Sequence, residues 1–185
     1  MSQLFFQDDY YSIYASERGI DYISMRSEVL IVPLTHQGEV ILTIEPSVAF
    51  GVPTLVLPGG VIEPGETHEQ TALRELQEEI GYTAERLDFL GKVRPFSKYV
   101  ALESFIYLAR ELVPSKFQGD EDHPILMEQV SLKDFEHLIT SGWLLDARIM
   151  AALLMTRHFL GIHNNEVSSG IPKCVRKSLE ARIQR

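Results

Sequence analysis

Gly60-Val-Ile-Glu-Pro-Gly-Glu66, then seven residues, then Arg74-Glu-Leu-Gln-Glu-Glu-Ile-Gly81-Tyr82 is the stretch that decides the fold. Pro64-Gly65 signals a turn. Thr67 and Gln70 stand in capping-box spacing, so a helix is expected over 67–80. Ala72, Leu73, Leu76 and Ile80 recur at the spacing of one buried helix face. Glu75 and Glu79, four apart, place their carboxylates one above the other on another face, with Glu78 beside them. Like charges so spaced destabilise an isolated helix. Arg74 can pair with Glu78 at i+4 but cannot neutralise all three. Divalent cations would, and carboxylate oxygens on a rigid helix suit Mg²⁺, which also binds substrate phosphates. A merely solvated acidic face would leave Gly60, Glu66, Arg74 and Gly81 unexplained. Seven specified residues at about 7% usage coincide at a given start with probability on the order of 10⁻⁸.

The rest of the chain sets the context. Its 185 residues fit one domain with an extra arm or tail, and 45% apolar with 23% charged residues is ordinary globular usage. Seventeen Lys and Arg against 26 Asp and Glu give a net charge of −9, which argues against polymeric nucleic acid as a partner. From Gly60 to Tyr82 six glutamates (63, 66, 69, 75, 78 and 79) face one strong base, Arg74. The longest apolar run, 149–155, is too short for a bilayer, so no membrane partner is expected. The first residues lack signal-peptide character, and the single cysteine, Cys174, excludes an internal disulfide. A cytoplasmic location is the expectation.

Working outward, residues 9–16 and 20–26 flank Arg18-Gly19 as a hairpin, and Tyr10, Tyr11, Tyr14 and Tyr22 suit strands. Strands are expected at 28–34, 39–44, 54–57, 87–93 and 104–109, with a short one at 129–131. Pro58-Gly59-Gly60 reads as a turn. Ser131 with Asp134 suggests a capping-box helix start, Gly142 its stop, and Asp146 opens a second helix ending near Phe159. Residues 163–185 carry Lys173, Arg176, Lys177, Arg182 and Arg185, and read as a basic tail without a clear apolar period. The organisation expected is an antiparallel arm over 1–26, a catalytic domain over 27–162, and that tail. Strands mixed with a central helix and a C-terminal helical pair indicate an α/β sandwich.

The quoted stretch resembles the signature of the Nudix hydrolases: Gly, five residues, Glu, seven residues, Arg-Glu-apolar-any-Glu-Glu-any-Gly-apolar. Every fixed position matches, with Tyr82 where an aliphatic residue is commoner. The resemblance extends over about 28–160 and implies a Nudix α/β/α sandwich with a mixed sheet, preceded by the N-terminal β-hairpin arm. It also implies Mg²⁺- or Mn²⁺-dependent hydrolysis of a nucleoside diphosphate linked to another moiety. By position, Glu75 and Glu79 are implied as metal ligands, and Glu78 as a ligand or a partner of the hydrated ion. The Gly59 carbonyl is implied as a further donor, with Glu66 and Arg74 orienting the glutamates.

Two further features resemble the ADP-ribose and ADP-sugar pyrophosphatase branch. One is the acidic loop Gly119-Asp-Glu121-Asp-His123, where that branch places a catalytic glutamate. Glu121 is therefore a candidate general base or closing metal ligand, with Glu78 and Glu79 completing the catalytic set. The other is the arm, which in that branch contacts the partner of a homodimer. Two positions depart from the branch: Ile44-Glu-Pro-Ser47 stands where an arginine often grips substrate, and His123 where a second acid is common. Arg94 and Lys98 are candidate phosphate contacts, and Phe96 or Tyr99 a candidate base stack. The implied substrate is a nucleoside diphosphate sugar such as ADP-ribose, giving a nucleoside monophosphate and a sugar phosphate. The alternatives are a nucleoside triphosphate or RNA 5′-end pyrophosphohydrolase, and a nucleotide sensor that binds without cleaving.

Overall fold

The computed structural model describes residues 2–17, 19, 21–115 and 125–162. Its central layer is a four-stranded mixed sheet, β7-β4-β10-β8, formed by β4 (Glu28–Pro33), β7 (Gly59–Val61), β8 (Tyr82–Val93) and β10 (Ser104–Pro114). β4 and β10 run parallel, and the two outer strands pair antiparallel. Strand alternation then sorts the core. Val29, Ile31, Tyr107 and Ala109 point to one face and meet Ala72, Leu76 and Ile80 of the segment beginning with α1 (His68–Glu75). Leu30, Val32, Ile106 and Leu108 point to the other face and meet Ile149, Ala152 and Leu153 of α3 (Ala147–Phe159). The result is the expected α/β/α sandwich. A second, antiparallel sheet of β11 (Leu126–Ser131), β5 (Glu39–Ser47) and β6 (Val52–Val56) adds Val40, Leu42 and Leu55 to the α3 side.

The expected hairpin is present as β2 (Tyr11–Ala15) and β3 (Asp21–Met25), in antiparallel register from Tyr11↔Met25 to Ala15↔Asp21. β1 (Gln3–Gln7) and the two-residue β9 (Val100–Ala101) extend it into a four-stranded sheet. No residue of β1, β2 or β3 is buried.

Several expectations change. Pro58-Gly59-Gly60 is not a free turn: Gly59 and Gly60 begin β7, drawn into extended pairing with Leu30 and Val29. β8 starts at Tyr82, directly after the helical segment, because the lengthened β10 offers it a partner as far as Pro114. The helix expected from Ser131 shrinks to α2 (Glu136–Thr140), which has no side-chain cap. Ser131 caps a preceding turn instead, accepting from the Lys133 N–H, while fully buried Leu132 and Phe135 hold that turn in the core. Asp146 caps α3 as expected, accepting from the Arg148 N–H at 2.8 Å. The tail at 163–185, with Cys174, and the acidic loop with Glu121 lie outside the described residues.

Candidate active site

The site is built on the helix opened by Thr67. Its side chain accepts from the Gln70 N–H at 3.2 Å, and the Gln70 side chain accepts from the Thr67 N–H at 2.8 Å, closing the expected capping box. The Tyr107 hydroxyl donates to Glu69 at 2.9 Å and ties the first turn to the sheet. Burial, with the Glu69 carboxylate beside it, pushes that phenol well above its ordinary value. From Leu76 to Ile80 the helix widens into a π turn, a departure from the expected α-helix. Its i→i+5 bonding rotates the side chains that follow relative to an α-helix. Gly81 ends the segment at φ 72°, in the left-handed region that suits glycine.

Arg74 is the hub of the carboxylates. Its Nε and Nη2 donate to the two oxygens of Glu66, at 2.9 and 3.1 Å. Its Nη1 donates to Glu75 at 2.7 Å and to Glu78 at 3.0 Å, the latter being the expected i+4 pair. Glu66 also accepts from the Thr71 hydroxyl and the Glu63 N–H. The Arg74 hydrogen bond leads these effects, and together they hold the Glu66 carboxyl down at about 2. Arg74 itself is pushed further up, chiefly by Glu66. Glu75 behaves oppositely: it is buried, and desolvation raises its carboxyl above the ordinary value despite Arg74.

Two neighbouring glycines of β7 receive the glutamates. The Gly59 N–H donates to Glu79 Oε2 at 3.2 Å. Gly60 lies so close to Glu75 that a Cβ added there would sit 2.0 Å from Glu75 Oε1. Strand β7 thus brings a backbone edge to two carboxylates of the helix, a convergence that spacing within the helix alone does not reveal.

The donor set is chemically right for a hard divalent cation: three glutamates, all oxygen donors, gathered beside the β7 edge. One guanidinium is shared among Glu66, Glu75 and Glu78, and one of those carboxylates is buried, so added positive charge is accommodated. Among the described residues no three acidic, His or Cys side chains already form a metal cluster, since Arg74 draws Glu75 and Glu78 while Gly59 engages Glu79.

The remaining candidates lie elsewhere. Arg94 and Lys92 both pair with Glu103. Lys98 stands over the Tyr99 ring at 4.9 Å, and Tyr99 packs against Phe96 at 5.3 Å. Lys98 and Tyr99 line a small cleft with Ser16 and Tyr22 of the arm, and no described contact joins them to the carboxylates of the same chain. Glu45, where an arginine is common in the resembling branch, accepts from the Thr43 hydroxyl at 2.8 Å. A cavity of about 520 Å³ opens where the helical segment ends, walled by Tyr82, Leu34, Arg110 and Gln129. It also includes Glu111, the non-glycine residue at positive φ (56°) among those described.

The family model described as the NUDIX domain matches residues 25–153. The chain belongs to the Nudix family. This Nudix chain is 33% identical over 135 residues to ADP compounds hydrolase NudE of Escherichia coli (strain K12), covering 73% of this chain and 72% of that protein. It is 30% identical over 141 residues to ADP-ribose pyrophosphatase of Bacillus subtilis (strain 168), covering 75% of each. Among solved structures, a crystal structure of ADP compounds hydrolase superposes with a TM-score of 0.74 at 27% identity, covering 87% of this chain and 92% of that one. Nudix hydrolases generally need a divalent metal, which agrees with the donor chemistry of the helix.

Proposed function

We propose that this Nudix enzyme hydrolyses the diphosphate bond of nucleoside diphosphate sugars such as ADP-ribose, releasing a nucleoside monophosphate and a sugar phosphate. The observation that carries the reading is the convergence of Glu75 and Glu79 on the Gly59-Gly60 edge, with Arg74 bridging Glu75 and Glu78. Similarity to ADP compounds hydrolase and ADP-ribose pyrophosphatase over three quarters of the chain supports the substrate class.

Glu75, Glu78, Glu79 and the Gly59 carbonyl would hold Mg²⁺ or Mn²⁺, with Glu121 as closing ligand or general base. Bound there, the cation would neutralise diphosphate charge and activate the attacking water. The chain does the rest. Glu66 and Arg74 hold Glu75 and Glu78 in place before substrate arrives. Burial of Glu75 lowers the local dielectric, so each charge contact acts more strongly than in water. Glu121, as base, takes a proton from water as its oxygen attacks phosphorus and the other phosphate departs. Arg94, Lys98 and Tyr99 are proposed substrate contacts, delivered at the arm side of the molecule.

We place the enzyme in the cytoplasm as a homodimer whose residues 1–26 pack on the partner, with 27–162 as the catalytic domain and 163–185 as a basic tail. The arm supports this: Leu4, Phe5, Phe6, Tyr11, Ile23 and Met25 are all exposed on its sheet, with Tyr10 exposed in the turn beside them, and that sheet contributes no buried residue from β1, β2 or β3. A concentration-independent monomer mass in sedimentation would reject the dimer.

A substrate panel tests the activity, with ADP-ribose, other nucleoside diphosphate sugars, nucleoside triphosphates and 5′-triphosphorylated RNA compared at saturating Mg²⁺. Dominant turnover of a triphosphate would overturn the sugar assignment. Tight ADP-ribose binding with no metal-stimulated turnover would favour a sensor, against which the complete Glu75, Glu78 and Glu79 set argues.

A further inference from the structure

A continuous chain of hydrogen bonds runs from the N-terminal arm to the carboxylates of the helix. Arg26 stands in the short link between β3 and β4. Its Nη2 donates to the Ile62 carbonyl at 3.1 Å and to Glu63 Oε2 at 3.1 Å, both in the loop between β7 and α1. The Ile62 N–H donates back to the Ser27 carbonyl at 3.0 Å, so link and loop grip each other from both sides. The Glu63 N–H then donates to Glu66 Oε2 at 3.2 Å. That same oxygen accepts from Arg74 Nη2, and the other arm of the guanidinium spans Glu75 and Glu78.

We infer that Arg26 is a positioning residue for the metal-binding glutamates, acting through the Glu63 backbone, Glu66 and Arg74. The inference rests on the metal role proposed above for Glu75, Glu78 and Glu79. The Arg26–Glu63 pair is half exposed, 41% and 53% for the two side chains, so it contributes little to stability. Its effect is geometric. Glu66 Oε2 balances three donors: the Glu63 N–H, the Thr71 hydroxyl and Arg74 Nη2. Without Arg26 the loop loses its outer anchor, the Glu63 N–H drifts from Glu66, and the carboxylate turns toward the two donors that remain. The bidentate fork of Arg74 follows it, and Nη1 leaves the point from which it serves both glutamates. Partners that orient metal ligands directly are worth 10- to 100-fold in metal affinity. Arg26 acts one step further out, so a loss of about 3- to 10-fold is expected. Because Arg26 immediately follows β3, whatever packs against the arm is placed to bias the same chain of contacts.

The test uses the full chain, stripped of metal, with Mn²⁺ binding followed by the electron paramagnetic resonance of the free ion, alongside kcat and KM. Arg26→Gln should weaken Mn²⁺ binding about 3- to 10-fold and lower kcat, with KM and the unfolding temperature nearly unchanged. Adding Arg26→Gln to Glu66→Gln should weaken binding no further than Glu66→Gln alone, because the relay is already cut. Fully additive losses would overturn the inference. So would unchanged Mn²⁺ affinity in Arg26→Gln, and a raised KM with that affinity intact would make Arg26 a substrate contact instead. Glu79→Gln separates the two levels: if it binds Mn²⁺ as the wild type does, the metal reading itself fails. If it loses Mn²⁺ while Arg26→Gln does not, only the relay fails.

Discussion

Replacing each of the adjacent glycines of β7 by alanine should produce two different failures. At Gly60 the added methyl would lie 2.0 Å from Glu75 Oε1 and 2.5 Å from its Cδ, whereas ordinary contact begins near 3.4 Å. Gly60 is not at positive φ, so the backbone accepts alanine and the conflict falls on the carboxylate alone. That group ends a flexible side chain, so it can retreat, but only by more than 1 Å and by leaving the 2.7 Å hydrogen bond from Arg74. A misplacement of about 1 Å in a reacting constellation costs about 10²-fold in rate, equivalent to about 2.7 kcal/mol of barrier. Stability should fall only by about 1 kcal/mol, at the mild end of overpacking. At Gly59 the methyl would instead meet the Val29 carbonyl oxygen at 2.2 Å and the Leu30 Cα at 3.1 Å. Both belong to the backbone of β4 in the middle of the central sheet and cannot move aside, so this variant should lose the fold, by more than about 3 kcal/mol. The assay is kcat and KM for ADP-ribose at saturating Mg²⁺, with urea unfolding of each variant. A Gly60→Ala enzyme with kcat within threefold of wild type would refute the claim that Gly60 exists to admit Glu75. A well-folded Gly59→Ala protein would refute the backbone argument.

Glu79→Gln should keep the fold and lower kcat by at least about 10³, the scale of losing several kcal/mol of electrostatic stabilisation; near-normal kcat at saturating Mg²⁺ would remove the helix from the catalytic centre. Glu66→Gln should cost about 1.5–3 kcal/mol at pH 7, the range for hydrogen bonds to charged groups. Because Glu66 is depressed from 4.5 to about 2 in the folded protein, its contribution is full above the unfolded value and disappears as pH falls from 4.5 toward 2. Urea unfolding at pH 6 and pH 3 should therefore show the difference between wild type and variant shrinking at the lower pH, and a constant difference would contradict the assignment. Glu121→Gln should reduce kcat by about 10²- to 10⁴-fold with metal affinity kept if Glu121 is the base, whereas rescue by raised Mg²⁺ would make it a ligand; unchanged turnover would remove it from the mechanism and direct attention to His123.

What the sequence revealed about this site follows the reach of each interaction. The capping box of Thr67 and Gln70 and the Arg74–Glu78 pair are settled within one or two helical turns, and both are present. Strand alternation likewise separates the neighbours Val29 and Leu30 onto opposite faces of the central sheet, as an apolar strand buried on both sides requires. What stayed hidden depends on residues far apart in the chain. Pro58-Gly59-Gly60 reads as a turn until β4 is placed beside it, and the need for a missing side chain at Gly60 arises only from Glu75, fifteen residues later. The π turn is equally silent, because Leu76 to Ile80 carries ordinary helix formers; Leu76 and Ile80, at its two ends, are both buried against the sheet. At Ser131 a correct local pattern loses to burial of Leu132 and Phe135.

The π turn also bears on how such a chain can change over generations. Between Glu66 and Glu79 the path is closed at both ends, by the Arg74 fork at one and the Gly59 N–H at the other. One residue inserted there would have to be absorbed by a second widening, and one removed would tighten the turn to an ordinary α-helix. After Arg74, either would swing Glu79 away from β7 while leaving Arg74 where it is; before Arg74, either would break its fork onto Glu66. Substitutions leave that distance alone. The segment can therefore change letters at half-buried Leu73, which the core of that sheet face leaves out, more readily than it can change length, and novelty in substrate has to enter through the loops around it.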